Sequence, residues 1–478
     1  MNTNMDGDVV KLIDKVEDKK DCILMLSMLV SYTRKPKYFN LLQDYILENN
    51  DEFPVNTQFY LYQQVLGMKF RYDFTCSDDS QLKMDEWILN ILQNYRENIL
   101  GPKEQISLEK RNKNLIFVVT DQFLGKTHAP TNLAMQWCEE LVRNGKSVML
   151  INTAEIATNV GAIPFDGYLA NYMPEYSALN EIEIGEIKVP FFQCDQNMPD
   201  IDVLKVLLSV VEKECPEMII SFGDTVFSYL ANQIVPVYTV ALGSAMPRSF
   251  TKYRMLIGEK MTELEKRFME QFGFSDDSII KAGFTFSLPK QKEQHFRQEF
   301  GISKDSFCLL VIGTRLEADL TDEFMEMLDG LLNDERLSVL FVGQLDYEHI
   351  VCPYKNVLDR SNHISHAQDL LSIVELGDLY INPTRMGGGT SALFALKKGK
   401  PVVTVDYGDV ALNAGDEFCV SDYESMQDII KKYLDDSSFY ESMSNIAKQR
   451  ASTLTEADNP YYKQVQEIEK REEESCCY

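Results

Sequence analysis

Ile381-Asn382-Pro383-Thr384-Arg385-Met386-Gly387-Gly388-Gly389-Thr390-Ser391, running on to Gly399-Lys400-Pro401-Val402-Val403-Thr404, is the stretch on which the reading of this chain turns. Residues 378–381 read as the end of a buried strand, and residues 392–398 as a helix that Thr390 and Ser391 open. Three consecutive glycines between them let backbone amides come close to a ligand, and the free amides of a helix start favour an anion. Gly387, Gly388, Gly389, Thr390 and Ser391 therefore read as a phosphate cradle. The alternative is a tight strand-to-helix turn that holds nothing.

The same alternation extends outward over residues 305–450, with strands at 308–313, 338–343, 378–382 and 402–405 and helices at 322–332 and 369–376. Residues 451–478 form a terminal helix and tail. Residues 113–290 repeat the pattern, with strands at 115–120, 147–152, 189–193, 218–222 and 235–240 and helices at 132–144 and 201–213. Strand–helix–strand units of this kind build parallel sheets covered on both faces, which bind ligands at the carboxyl ends of their strands. Residues 1–105 carry helical periodicity alone, at 9–16, 23–32, 38–47, 57–70 and 84–99. Stacked helical hairpins commonly serve as interaction modules, so a protein partner is expected there.

At 478 residues, 45% of them hydrophobic and 25% charged, the chain is long enough for two or three domains with full cores. Its net charge of -27 argues against a nucleic-acid partner, because phosphate binding needs a basic surface that releases counterions. Arg248, Lys252 and Arg254 are the best local basic group and read as solvated charges on a helix. No apolar run approaches the ~18 residues that span a bilayer, and the start Met1-Asn2-Thr3-Asn4-Met5-Asp6 lacks a signal peptide's basic-then-apolar layout. A cytoplasmic location is expected, with a peripheral place at the inner face of the membrane left open. The ten cysteines show no Cys-x-x-Cys spacing, and Cys22, Cys138 and Cys308 lie in apolar patterns, so no structural metal is expected.

Candidate residues follow from strand ends. His128 lies on the loop 121–131 that leaves the first strand, between a glycine and a helix start, and imidazole suits proton transfer near neutral pH. Its alternatives are a bond to its own loop, or a transition-state contact without proton transfer. Gly223-Asp224 and Gly243-Ser244-Ala245-Met246-Pro247 end two further strands and would line an acceptor side, although Asp224 also reads as the N-cap of a helix over 225–231.

The 381–404 segment resembles the nucleotide-binding signature of GT-B glycosyltransferases of the family-4 type, Asn-Pro-x-Arg-x-Gly-Gly-Gly-x-Ser followed by a helix and Gly-x-Pro-Val-Val. The resemblance covers roughly residues 305–455, is weaker over 113–290 and does not reach the first hundred residues. It implies two Rossmann-like domains facing a cleft, here preceded by an all-helical region. Val311-Ile312-Gly313-Thr314-Arg315-Leu316 is similar to the Gly-x-Arg-Leu strand end at which that family sets a cation against the donor diphosphate, which points to Gly313 and Arg315; a surface arginine paired with Glu317 is the alternative. An arginine there neutralises the leaving nucleoside diphosphate. The family's accompanying lysine has no counterpart over 316–322, and Arg385 is expected to compensate. Ile364 lies in the connection that, in the resembled fold, passes the nucleobase, and backbone groups around it are expected to bind the base. The family's acidic pair falls on Met386 and Phe394, neither of which accepts a hydrogen bond from ribose, a loss of about 1 to 3 kcal/mol for a buried hydroxyl.

The resemblance thus implies a glycosyltransferase with a nucleotide-sugar donor and a glycan, lipid-linked or protein acceptor, acting in bacterial surface polysaccharide or glycoprotein synthesis. No cofactor and no metal are expected. Retention of anomeric configuration is implied, whereas a His128 acting as acceptor base would invert it. The rival reading is a non-catalytic GT-B-like subunit that binds a glycan or a partner glycosyltransferase.

Overall fold

The computed structural model describes residues 16–72, 74–101, 103–126, 128–156, 172–258, 260–283, 285, 288–314, 316–455 and 458–475. The chain forms two compact units, Met1–Ala282 with Asn459–Tyr478, and Gly283–Asp458. Among the described residues no helix is long and apolar enough to cross a membrane.

The first unit is built on β1 (Asn112–Thr120), β2 (Ser147–Asn152), β3 (Glu181–Ile184), β4 (Ile187–Gln193), β5 (Pro216–Phe222), β6 (Val237–Val240), β7 (Tyr253–Ile257) and β8 (Ile279–Ala282). Their order is β3-β4-β2-β1-β5-β6-β7-β8. Every pairing is parallel except the β3–β4 hairpin. Ile116 to Val119 of β1 and the whole of β5 are buried, as apolar strands covered on both faces must be.

Among the described residues four α-helices precede the sheet, Lys19–Thr33, Pro36–Asn49, Val55–Tyr72 and Asp78–Ile99. Asp18 and Ser77 cap the first and the last by accepting backbone amides, and Pro36 opens the second, where its missing N–H costs nothing. The helix expected over 9–16 lies outside the described residues apart from Val16. This module shares one apolar core with the sheet and its helices, through residues such as Trp87, Ile91, Leu204 and Val226. Asp85 of the module accepts from Arg248 Nε at 3.1 Å.

Three features of this unit were not anticipated. The β3 hairpin and the strands β7 and β8 extend the sheet at both edges. Arg254, expected on a solvated helix, lies inside β7 with no exposure; it donates to the Ser278 hydroxyl (2.5 Å) and the Thr251 carbonyl (2.9 Å) and packs 3.7 Å from the Phe274 ring centroid. The helix Pro460–Ser475 belongs to this unit as well: Tyr461 stacks on Trp137 at 5.0 Å, and buried Glu472 pairs with Arg111 at 2.8 Å.

The second unit carries β9 (Phe307–Ile312), β10 (Leu337–Val342), β11 (Ser361–Ile364), β12 (Leu379–Asn382), β13 (Val402–Val405) and β14 (Cys419–Val420), all parallel, in the order β11-β10-β9-β12-β13-β14. In both units the chain winds outward from one strand and then returns to its other side. The order therefore reverses between β1 and β5 in the first sheet and between β9 and β12 in the second, and such reversals open a crevice at the carboxyl ends of the strands.

Candidate functional site

In the second unit the crevice is shaped by the residues after β12. Asn382 ends the strand, donating to Thr404 Oγ1 on β13 (3.2 Å) and accepting from Arg385 Nε (2.9 Å). The Thr384 amide donates to the Tyr423 hydroxyl (2.9 Å). Arg385 then turns inward and is 3% exposed. Its guanidinium donates to the Ile312 carbonyl (2.6 Å), the Tyr380 hydroxyl (3.0 Å) and the Asp319 carboxylate (2.8 Å). This corrects the expectation of a cation available to a leaving group, since all three nitrogens are engaged inside the unit.

The glycines lie where this arginine leaves no room for a side chain. A Cβ on Gly388 would sit 2.8 Å from Nη2, and one on Gly313 2.2 Å from Nη1. Gly388, with φ +103°, is the left-handed residue from which the helix Gly389–Lys397 starts. Gly389 is buried against Asn413, whose Oδ1 is buried without a hydrogen-bond partner. Gly387 and Ser391 are partly buried and Thr390 is exposed. The amides of Ser391 and Ala392 bond the Gly388 carbonyl (3.0 and 3.2 Å), which leaves those of Gly389 and Thr390 as the opening donors of the helix. Gly388 and Gly389 are thus required by their neighbours whether or not a ligand binds, and the open side of the turn is at Thr390.

Other expected positions fall differently. Arg315 lies outside the described residues. Gly313 is partly buried, and its amide closes the sheet edge on the Val342 carbonyl (3.0 Å). At Ile364, whose neighbouring backbone groups are expected to meet a base, the carbonyl accepts the Gly343 amide (2.8 Å), while His363 Nε2 lies 2.7 Å from the Gly343 carbonyl and its ring stacks on Tyr347. Met386 is 37% exposed, but Phe394 packs into the apolar core of the unit at 9% exposure. The ribose-facing orientation expected of position 394 is not found.

In the first unit His128 precedes the helix Ala129–Arg143, with Nδ1 2.8 Å from Thr131 Oγ1, a hydroxyl that also accepts the Leu124 amide (3.0 Å). Burial pushes its pKa below the ordinary imidazole value, so the ring is neutral at pH 7. Gly243 and Ser244 are partly buried on the loop after β6, which Glu265 secures by accepting the Met246 amide (2.7 Å).

Asp224 is not the helix cap. The helix Val226–Ala231 is capped by Thr225, which accepts the Ser228 amide, and by Glu155, which accepts the amides of Val226 (2.5 Å) and Phe227 (3.1 Å). Asp224 Oδ1 is buried without a partner. Beside it, the Asp121 carboxylate fills the space a Cβ on Gly223 would need, 2.2 Å away. Asp121, Glu155 and Asp224 thus follow β1, β2 and β5 around the crevice. Burial pushes Asp121 and Asp224 to about 7 and Glu155 to about 8, with Asp85 adding to the shift of Asp224. Asp121 and Glu155 were missed by sequence reasoning, although an acid just beyond each of three neighbouring strands was a signal available to it.

Neither protein-family models nor curated protein sequences match this chain. Solved structures do. The O-GlcNAc transferase of Thermobaculum terrenum, in a mutant form, superposes over 97% of this chain and 92% of its own with a TM-score of 0.58 at 12% identity. A glycosyltransferase of Rickettsia africae covers 75% of this chain and 99% of its own (TM-score 0.53, 12% identity), as does the sucrose-phosphate synthase of Thermosynechococcus elongatus (0.52, 12%). At such identity the likeness is one of fold: two Rossmann-like units preceded by helices, the GT-B architecture.

Proposed function

We propose that this chain is a glycosyltransferase that moves a sugar from a nucleotide-sugar donor to a glycan, lipid-linked or protein acceptor, in the synthesis of a bacterial surface polysaccharide or glycoprotein. One observation carries the reading: at the strand-order reversal of the second sheet, Gly388 starts a helix, and its first amides with the exposed Thr390 are groups suited to an anion. The donor diphosphate binds there, and Arg315 offsets the charge of the leaving group in place of a metal. In the first unit a neutral His128 is the residue suited to take the acceptor proton. The GT-B likeness supports a transferase without naming donor or acceptor.

A second reading, a non-catalytic subunit of the same fold, is favoured by Phe394 in the core and by an Arg385 engaged inside the unit. Calorimetric titration with uridine, guanosine and adenosine diphosphates and their sugars separates the two. Thr390→Asp sharpens the test, because a carboxylate in a first turn suits the helix dipole yet repels a phosphate. The variant should unfold within about 1 kcal/mol of wild type and lose nucleotide binding at least tenfold. Equal affinity in both proteins removes the proposed site. Absence of binding in wild type removes the transferase reading.

A further inference from the structure

Arg385 lies between two stretches of chain that meet at the second crevice, and its placement depends on a residue far away in sequence. Asp319, at the end of the short helix Leu316–Asp319, is 8% exposed and holds Nη1 at 2.8 Å. The opposite nitrogen, Nη2, bonds the last carbonyl of β9 and the Tyr380 hydroxyl. Because neither Gly313 nor Gly388 has a Cβ, the guanidinium lies directly against both backbones. Beyond Gly388, the Arg385 and Met386 carbonyls approach Gly408 closely enough to exclude a Cβ there, and the Met386 carbonyl accepts the Asp409 amide at 2.8 Å. A displacement of this arginine is therefore passed on to the glycine turn.

We propose that Asp319 is a positioning residue for the phosphate-binding turn: acting through Arg385, it locks residues 386–391 to the segment that follows β9. Asp319 touches no ligand in this assignment. Its carboxylate is the only anionic partner of the guanidinium among the described residues. With that charge removed, a buried cation must find water or another acceptor, and any shift it makes bears on the Gly388 backbone packed against it. The consequence for affinity rests on the donor-site reading above; the mechanical coupling does not.

Hydrogen exchange measured on the full chain tests the coupling without any ligand. In Asp319→Asn, peptides covering 386–392 should exchange at least tenfold faster than in wild type, with β10 and β13 protected as before, and Asp319→Glu should restore most of the protection. Nucleoside diphosphate affinity, read by calorimetry with uridine and guanosine diphosphates, should fall and recover in step. Tyr380→Phe removes one bond to Arg385 and no charge, so it gives a milder version if the Asn variant does not fold. Wild-type exchange over 386–392 in the folded Asn variant, or in Tyr380→Phe if that is the one that folds, overturns the proposal. Should exchange respond while wild type binds none of the nucleotides, the coupling stands and the donor-site reading falls.

Discussion

A carboxylate at position 394 would enter the apolar core of the second unit, because Phe394 is 9% exposed and packs there. Motif spacing alone points to this position as a place to restore a ribose contact. Its environment dictates the opposite outcome: Phe394→Glu should cost about 3 to 5 kcal/mol in urea unfolding and create no nucleotide binding. A stable variant with stronger binding would show that the helix presents this face to the ligand. Arg254, Arg385 and Asp224 teach the same lesson about what sequence conceals. Each is an ionisable side chain that pattern reasoning sends to solvent, to a ligand or to a cap, and each is decided by burial among groups that the fold brings around it. The glycine run was legible because φ at Gly388 and close backbone approach are properties of glycine itself.

Strand β5 and the loops around it set the pH response of the first unit. Asp121, Glu155 and Asp224 are all pushed upward by burial, to about 7, 8 and 7, so the folded chain holds protons that the unfolded chain has released. The sign follows directly: their neutral forms favour the fold below about pH 4, and that contribution is lost as pH rises through about 7 to 8. Stability should therefore fall between pH 5 and pH 8, the three acids titrating as a linked set. Asp224→Asn keeps the shape and removes one titration, so its loss over that interval should be smaller by about 2 kcal/mol. Parallel wild-type and variant curves from denaturant melts at the two pH values would exclude the cluster as the cause. Most helices and central strands were readable from their periods, with ends shifted by a few residues. The β3 hairpin passed unnoticed despite its alternating Ile182 and Ile184, and β7 was hidden by a buried arginine in its middle.

At the scale of the whole molecule, the first unit is completed by residues that come after the second. Glu472 joins Arg111 in a buried pair and accepts the Tyr253 hydroxyl (2.6 Å), while Val465 and Ile468 of the same helix are fully buried. Glu472→Ala leaves Arg111 buried without its charge partner and should cost about 3 to 5 kcal/mol in urea unfolding of the first unit. A loss below about 1 kcal/mol would mean that water reaches the arginine.

That late-joining helix also imposes an order in time. On the ribosome, β1 and the Trp137 helix emerge early, yet their cover arrives only after the whole of residues 283–458 has been made. At about 5 to 20 residues per second the wait is on the order of ten seconds or more, during which an apolar strip around Trp137 faces solvent. A chain truncated before Pro460 and released should be open to protease within the first unit while the second is resistant.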